Sequence, residues 1–231
     1  MAIQGLIFDK DGTLFDFQQS WGGWFARLLD SLSDGQAERR AALAQRMDFD
    51  LATQRFNPNS IFIAGTSDDM IAHIADLMPH ETPQNLLARI AAMKAEPAQV
   101  PALPLAPYLS ALRARGLVLA VATNDGEGPA RAQLKIAGIH DQFACIAGYD
   151  SGFGAKPAPG MLLGVAEKMG LAPHNLAMVG DSTHDMHAGR AAGMHCIAVL
   201  TGPATQADLH GHADIVLGNI GEIPEYLSKT T

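Results

Sequence analysis

The stretch GLIFDKDGTLFD, residues 5–16, decides the fold. An apolar run ends in Asp9 and Asp11, one residue apart, and Gly12-Thr13 follows at once. Two carboxylates that close repel, and burial makes each charge costlier. A chain that ends a buried strand this way has a use for both acids.

Five more apolar runs share the look of the first. They are LVLAVAT (117–123), FACIAG (143–148), LAMVG (176–180), HCIAVL (195–200) and ADIVLG (213–218), beside IQGLIF (3–8). The runs are continuous rather than alternating, as in strands covered on both faces. Helical patterns lie between them: PARAQLKIAG ends in Gly138, GMLLGVAEKMG ends in Gly170, and DMHAGRAAGM precedes the fifth run. Glycine after the last helical residue is a common C-terminal signal. Strand and helix in alternation predict an α/β fold with a doubly wound parallel sheet.

Residues 17–99 read differently. Trp21, Trp24, Phe25, Leu28, Leu29 and Leu32 fall on one helical face. SDDMIAHIADLM repeats the pattern, with Thr66 or Ser67 as cap, and PQNLLARIAAMKAE gives a further helix starting near Pro83. An all-helical domain over 17–99 is therefore inserted into a core made of 1–16 and 100–231. EPAQVPALPLAP, with four prolines, predicts a stiff extended linker back to the core. Trp21 and Trp24 are expected as core anchors of the helical block.

Composition narrows the function classes. The 231 residues are 48% hydrophobic and 17% charged, enough for a substantial core, and the net charge of −8 argues against a nucleic-acid surface. No run approaches a membrane span and no basic leader precedes the first strand, so a cytoplasmic protein is expected. Cys145 and Cys196 sit in apolar runs, outside any C-x-x-C pair, and are expected as buried thiols. The expected assembly is a monomer or a homodimer.

Four polar clusters follow predicted strands: Asp9 with Asp11; Thr123, Asn124 and Asp125; Lys156 in GAKPAPG; and Asp181 with Asp185 in GDSTHD. Ligands of open α/β sheets bind at the carboxyl ends of strands. Each cluster suits phosphoryl chemistry. An aspartate is already ionised at neutral pH and can attack phosphorus. Its repulsion with a phosphate is about 4 kcal/mol per charge pair at 4 Å with an effective dielectric near 20, so a cation and a lysine are needed. Asp9 and Asp181 offer the hard oxygens that Mg²⁺ prefers. Asp11, two residues on along extended chain, is placed as general acid and base, with the Asp9 charge raising its pKa. Gly12, Thr13, Thr123 and Asn124 are expected around the phosphate. EF-hand, P-loop, dinucleotide and zinc patterns are absent.

Taken in order, FDKDGTL, VATN, GAKPAPG and GDSTHD resemble the four motifs of the haloacid dehalogenase superfamily. The helical insertion resembles the small cap of the subgroup that holds phosphoglycolate phosphatase and β-phosphoglucomutase. The resemblance implies an Mg²⁺-dependent phosphoaspartyl phosphatase acting on a small phosphorylated metabolite. Asp9 would be nucleophile and metal ligand. Asp11 would be acid and base, its carbonyl also touching the metal. Thr123 and Lys156 would hold the phosphoryl group. Asp181 would ligate Mg²⁺, and Asp185 would hold a metal-bound water or Lys156. Arg27, Arg46 and Arg55 are the cap cations for an anionic substrate, Arg55 in RFNPNS foremost. A phosphosugar mutase or phosphatase is the alternative, though Asp68 stands where the mutase cap loop has arginine. A receiver-type signalling domain is a third reading.

Overall fold

The structure is a computed structural model and describes residues 3–57, 60–94 and 99–229. In chain order it runs β1 (Gly5–Phe8), α1 (Phe17–Ser33), α2 (Ala37–Arg46), β2 (Phe49–Asp50), β3 (Arg55–Phe56), α3 (Ile61–Ala64), α4 (Ser67–Ile74) and α5 (Pro83–Lys94). It continues α6 (Leu105–Ala114), β4 (Val118–Ala122), α7 (Glu127–Ile136), β5 (Cys145–Ala147), α8 (Gly160–Met169) and β6 (Leu176–Gly180). α9 (Thr183–Ala191), β7 (His195–Val199), α10 (Gln206–Leu209), β8 (Ile215–Leu217) and α11 (Ile223–Lys229) complete it. Two compact units result: Met1–Phe17 with Val100–Thr231, and Gln18–Gln99.

The first unit is built on a six-stranded sheet in the order β5-β4-β1-β6-β7-β8. Every neighbouring pair in it is parallel. All six predicted runs form its strands. Successive residues point to opposite faces, and the two cores show it. Leu6, Phe8, Leu119, Val121, Ala177 and Val179 pack with Leu109, Leu112, Ala130 and Leu134 of α6 and α7. Ile7, Ala120, Ala122, Leu176 and Met178 pack with Met161, Leu162, Val165 and Ala188 of α8 and α9. Buried faces on both sides explain why the runs are continuous. Gly170 follows α8 at φ +68, the left-handed cap that its place in the sequence predicted. Cys145 and Cys196 are buried and unoxidised.

The chain leaves β1, turns, and comes back along Val100–Ala102. Asp16 N–H donates to Val100 O at 2.8 Å and Ala102 N–H to Leu14 O at 2.9 Å. The expected extended linker is shorter than its composition suggested. Its residues 96–98 lie outside the described ones, and from Leu105 onward the stretch is helix α6. Pro107 is its third residue, where the backbone nitrogen has no intrahelical partner to lose, so proline marks a helix start rather than a linker.

The second unit is helical apart from one addition. Phe49–Asp50 and Arg55–Phe56 pair as a two-residue antiparallel ladder. Trp21, Trp24, Phe25, Phe49, Phe56 and Phe62 form its aromatic core, with the Phe56 and Phe62 rings stacked at 4.7 Å. Both tryptophans are buried, and Trp24 Nε1 donates to Met93 O at 2.7 Å. Of the two possible caps of α4, Thr66 serves: it accepts from Asp69 N–H, and Asp69 bonds back to Thr66 N–H. Among the described residues, no helix is long and apolar enough to cross a membrane.

Candidate active site

The sheet order gathers the polar clusters. β5, β4, β1 and β6 are adjacent and parallel, so the clusters that follow them emerge at one end of the sheet. β1 is the switch point, since the chain goes from it first to β4 on one side and later to β6 on the other.

Asp9 prolongs β1 by one residue, its N–H donating to Val179 O at 2.8 Å. Lys156, buried, places its Nζ 2.7 Å from Asp9 Oδ1 and 2.5 Å from Asp185 Oδ1, and donates to Ala122 O at 2.9 Å. Asp9, Asp181 and Asp185 each bring a carboxylate oxygen within 4.8 Å of the others. Three buried acids thus face one buried ammonium. Burial pushes the Asp9 carboxyl up to about 7; Lys156 opposes the rise, while Asp185 and Asp11 add to it. Asp181 is held well above the usual carboxylate range by burial, then by Asp9 and Asp185. Burial works against the Lys156 charge, but Asp185 and Asp9 outweigh it and raise that pKa. A deficit of positive charge among hard oxygen donors is the chemistry of a divalent cation site. Backbone is cleared around it: a Cβ on Gly202 would lie 1.7 Å from Asp181 Oδ2, and one on Gly12, at φ +84, 2.3 Å away.

Asp185 has both oxygens engaged. Oδ1 meets Lys156, while Oδ2 accepts from Ser182 Oγ at 2.6 Å and Ser182 N–H at 3.1 Å in the capping box of α9. Of the two roles left open for Asp185, the geometry favours the hold on Lys156.

Three residues expected around the phosphate also have partners within the protein. Thr13 is fully buried, and its hydroxyl donates to Asp181 Oδ1 at 3.4 Å. Asn124 accepts from Lys156 N–H and donates to Lys156 O, both at 2.9 Å, so its amide clasps the backbone that carries the lysine. Gly12 N–H donates to Phe15 O at 2.8 Å, and its carbonyl accepts from Thr201 Oγ1 at 2.6 Å. In each case a short polar group at a strand end is spent on holding the site together. Thr123 is buried after β4, its Oγ1 accepting from Asp125 N–H at 3.1 Å, which leaves its own proton to donate.

Asp11 has a partner beyond the expected one. The reading by strand parity made Asp9 its governing neighbour. Instead the chain turns at once, with Leu14 and Phe15 N–H groups on Lys10 O, and the Lys10 ammonium lies 2.5 Å from Asp11 Oδ2. Burial opposes the Lys10 charge, and Asp11 and Asp125 raise its pKa against it. Lys10, Gln133, Ser182, Thr201 and Gly202 were missed by the sequence reading. Ser182-x-x-Asp185 carried a capping-box signal, and a lysine closing an apolar strand was itself a sign of buried partners.

In the other unit, Arg55 is exposed in β3, opposite Asp50. Arg46 pairs with Asp76 through two bonds of 2.7 and 2.9 Å. Arg27 donates to Gly23 O on its own helix at 3.2 Å.

Comparison with known proteins agrees with this geometry. The family model described as haloacid dehalogenase-like hydrolase matches residues 3–193. Phosphoglycolate phosphatase of Rhodospirillum rubrum is 32% identical over 206 residues, covering 86% of this chain and 80% of that one. The enzyme of that name from Chromobacterium violaceum is 39% identical over 121 residues, 52% of this chain and 54% of its own. Among solved structures, CbbY of Rhodobacter sphaeroides with phosphate shares the fold at a TM-score of 0.68 and 21% identity, over 96% of both chains. A hydrolase of Deinococcus radiodurans, with bound phosphate and sodium, shares it at 0.67 and 23%, over 98% of this chain and 96% of that one. The motifs, the sheet that gathers them and the matched family together show that the chain belongs to the haloacid dehalogenase-like hydrolases, where it is similar to phosphoglycolate phosphatases.

Proposed function

We propose that this protein is a phosphatase, a Mg²⁺-dependent phosphomonoester hydrolase that works through a phosphoaspartyl enzyme on a small phosphorylated metabolite, with 2-phosphoglycolate as the first candidate. The observation that carries the reading is the meeting of Asp9, Asp181 and Asp185 on the single Lys156 ammonium. With all three acids ionised, that set balances when a cation joins it.

Asp9, Asp181 and the Asp11 carbonyl would hold Mg²⁺, which when bound offsets the repulsion between Asp9 and the phosphate dianion. The Asp9 carboxylate attacks phosphorus, and the bond to the ester oxygen breaks. Asp11 delivers a proton to that oxygen as it leaves. Lys156 and the Thr123 hydroxyl take up charge on the phosphoryl oxygens. Asp11 then removes a proton from water, whose oxygen attacks phosphorus and releases the Asp9 carboxylate and inorganic phosphate. Asn124, Thr13 and Ser182 act earlier, by fixing Lys156, Asp181 and Asp185. The substrate candidate rests on the similarity to phosphoglycolate phosphatases.

The test is phosphate release from a panel of phosphorylated metabolites and an aryl phosphate. Wild-type protein should turn over only with Mg²⁺, and Asp9→Asn should be inactive on all of them. Turnover by Asp9→Asn rejects the phosphoaspartyl route. A rate for 2-phosphoglycolate no higher than the panel average rejects that substrate and leaves the phosphatase.

A further inference from the structure

Lys10 lies between the two acids of the first motif and is fully buried. A lysine is almost never buried without partners, and here three oxygens surround it. Its ammonium meets Asp11 Oδ2 at 2.5 Å and Gln133 Oε1 at 2.6 Å, and stands 3.7 Å from Asp125 Oδ2. Strand parity explains the reach. Leu6 and Phe8 face the cluster that holds Ala130 and Leu134 of α7. Lys10 continues that face and finds Gln133, buried on the same helix. Asp125 is itself fixed, its N–H donating to Thr123 Oγ1 at 3.1 Å and its Oδ1 accepting from Gly126 N–H at 2.9 Å.

The backbone around Asp11 is pinned independently. Lys10 O accepts from Leu14 and Phe15 N–H at 3.0 and 3.1 Å, and Gly12 O from Thr201 Oγ1 at 2.6 Å. What stays open is the side-chain rotation of Asp11, and the Lys10 ammonium is the group that takes hold of it. Stability alone does not call for this arrangement, because an apolar side chain of similar volume serves a core as well as a buried ion pair does. Orientation does call for it: a group that gives a proton in one half of a reaction and takes one in the other must stay in hydrogen-bond reach of both oxygens.

We infer that Lys10 is a positioning residue for Asp11, anchored on α7 by Gln133 and on the loop after β4 by Asp125. The inference rests on the phosphoaspartyl reading above. The orientation it sets would matter in both halves of the reaction. It would matter less for the first half when the leaving oxygen needs no proton.

Lys10→Met keeps the length of the stem and removes the ammonium. Its kinetics are compared with wild type on an alkyl phosphate and on 2,4-dinitrophenyl phosphate, whose leaving group departs without a proton. On the alkyl phosphate, kcat should fall about tenfold or more, with KM within about twofold. On the dinitrophenyl ester, the first turnover should stay within about threefold of wild type while later turnovers slow about tenfold, so a burst of one equivalent appears. Gln133→Met, which loosens the anchor and leaves the ammonium, should show the same pattern in weaker form. Lys10→Arg, which restores a donor, should recover part of the alkyl rate. Equal loss on both esters without a burst, or an unchanged alkyl rate, overturns the inference. If Lys10→Met fails to fold, Gln133→Met decides by the same two signs. Failure of the wild type to turn over, or activity in Asp9→Asn, would instead reject the underlying reading.

Discussion

The Lys156 ammonium stands 2.7 Å from the Asp9 carboxylate, although 147 residues separate them in the chain. It also donates to Asp185 Oδ1 and to the Ala122 carbonyl that ends β4. One cation therefore bears on the Asp9 carboxylate, the capping acid of α9 and the loop that holds Thr123.

Removing that cation should cost stability as well as activity. Lys156→Met leaves buried acids without their partner, a change that destabilises by about 3–5 kcal/mol when a buried pair is broken. Urea unfolding without metal should show a loss of this size, and phosphate release should drop to background. A variant as stable as wild type would mean that the acids are not charged around Lys156.

The metal-free protein should become less stable as pH rises from about 4 to 7. The Asp9 carboxyl is pushed up to about 7 by burial, so the native state keeps a proton that the unfolded chain, near 3.8, has released. Stability falls with pH wherever the native state binds more protons. The lowered carboxyls, among them Asp50, Asp76 and Asp208, act in the opposite direction but below this window. Mg²⁺ competes with the proton, so the melting temperature gained on adding Mg²⁺ over EDTA should widen with pH. A gap that narrows towards pH 7 would contradict the prediction.

Asp181→Asn should separate stability from function. Its carboxyl is held well above the usual range by burial, then by Asp9 and Asp185, so folding must bury its charge or take up a proton, a cost that asparagine does not carry. The metal-free melting temperature should rise by about 2–4 °C, the shift expected for roughly 1 kcal/mol in a chain this long. The response to Mg²⁺ and the phosphatase activity should both vanish.

Gly202→Ala tests the clearance around the same acid. The new Cβ would lie 1.7 Å from Asp181 Oδ2, so the carboxylate has to move. The fold should survive, while the Mg²⁺ concentration for half-maximal activity rises about tenfold or more. Circular dichroism and a Mg²⁺ titration check both parts.

The sequence by itself determined the six strands, the inserted helical block and the four strand-end clusters. Each is written in local terms: continuous apolar runs, a helical stripe, short motifs after strands. In EPAQVPALPLAP it does not show where the extended part stops, because proline in a helix's first turn and proline in a linker look alike in composition; residues 100–102 run along Leu14 and Asp16, and the helix begins at Leu105. It left β2 and β3 unread, since two residues a side carry no period. It placed Asp9, Asp181 and Lys156 in one site but not what each touches. Thr13, Asn124 and Gly12 were legible as polar groups near a phosphate. Only the tertiary structure assigned them to Asp181, to the Lys156 backbone and to Thr201. Asp11 shows the limit most plainly: the sequence pairs it with Asp9, and the structure adds the Lys10 ammonium 2.5 Å from its Oδ2. The reason is physical. Patterns of burial are properties of a segment and survive in its letters, whereas the partner of a buried charge is chosen by which helix and loop the sheet order brings within 3 Å of it, and no segment carries that information alone.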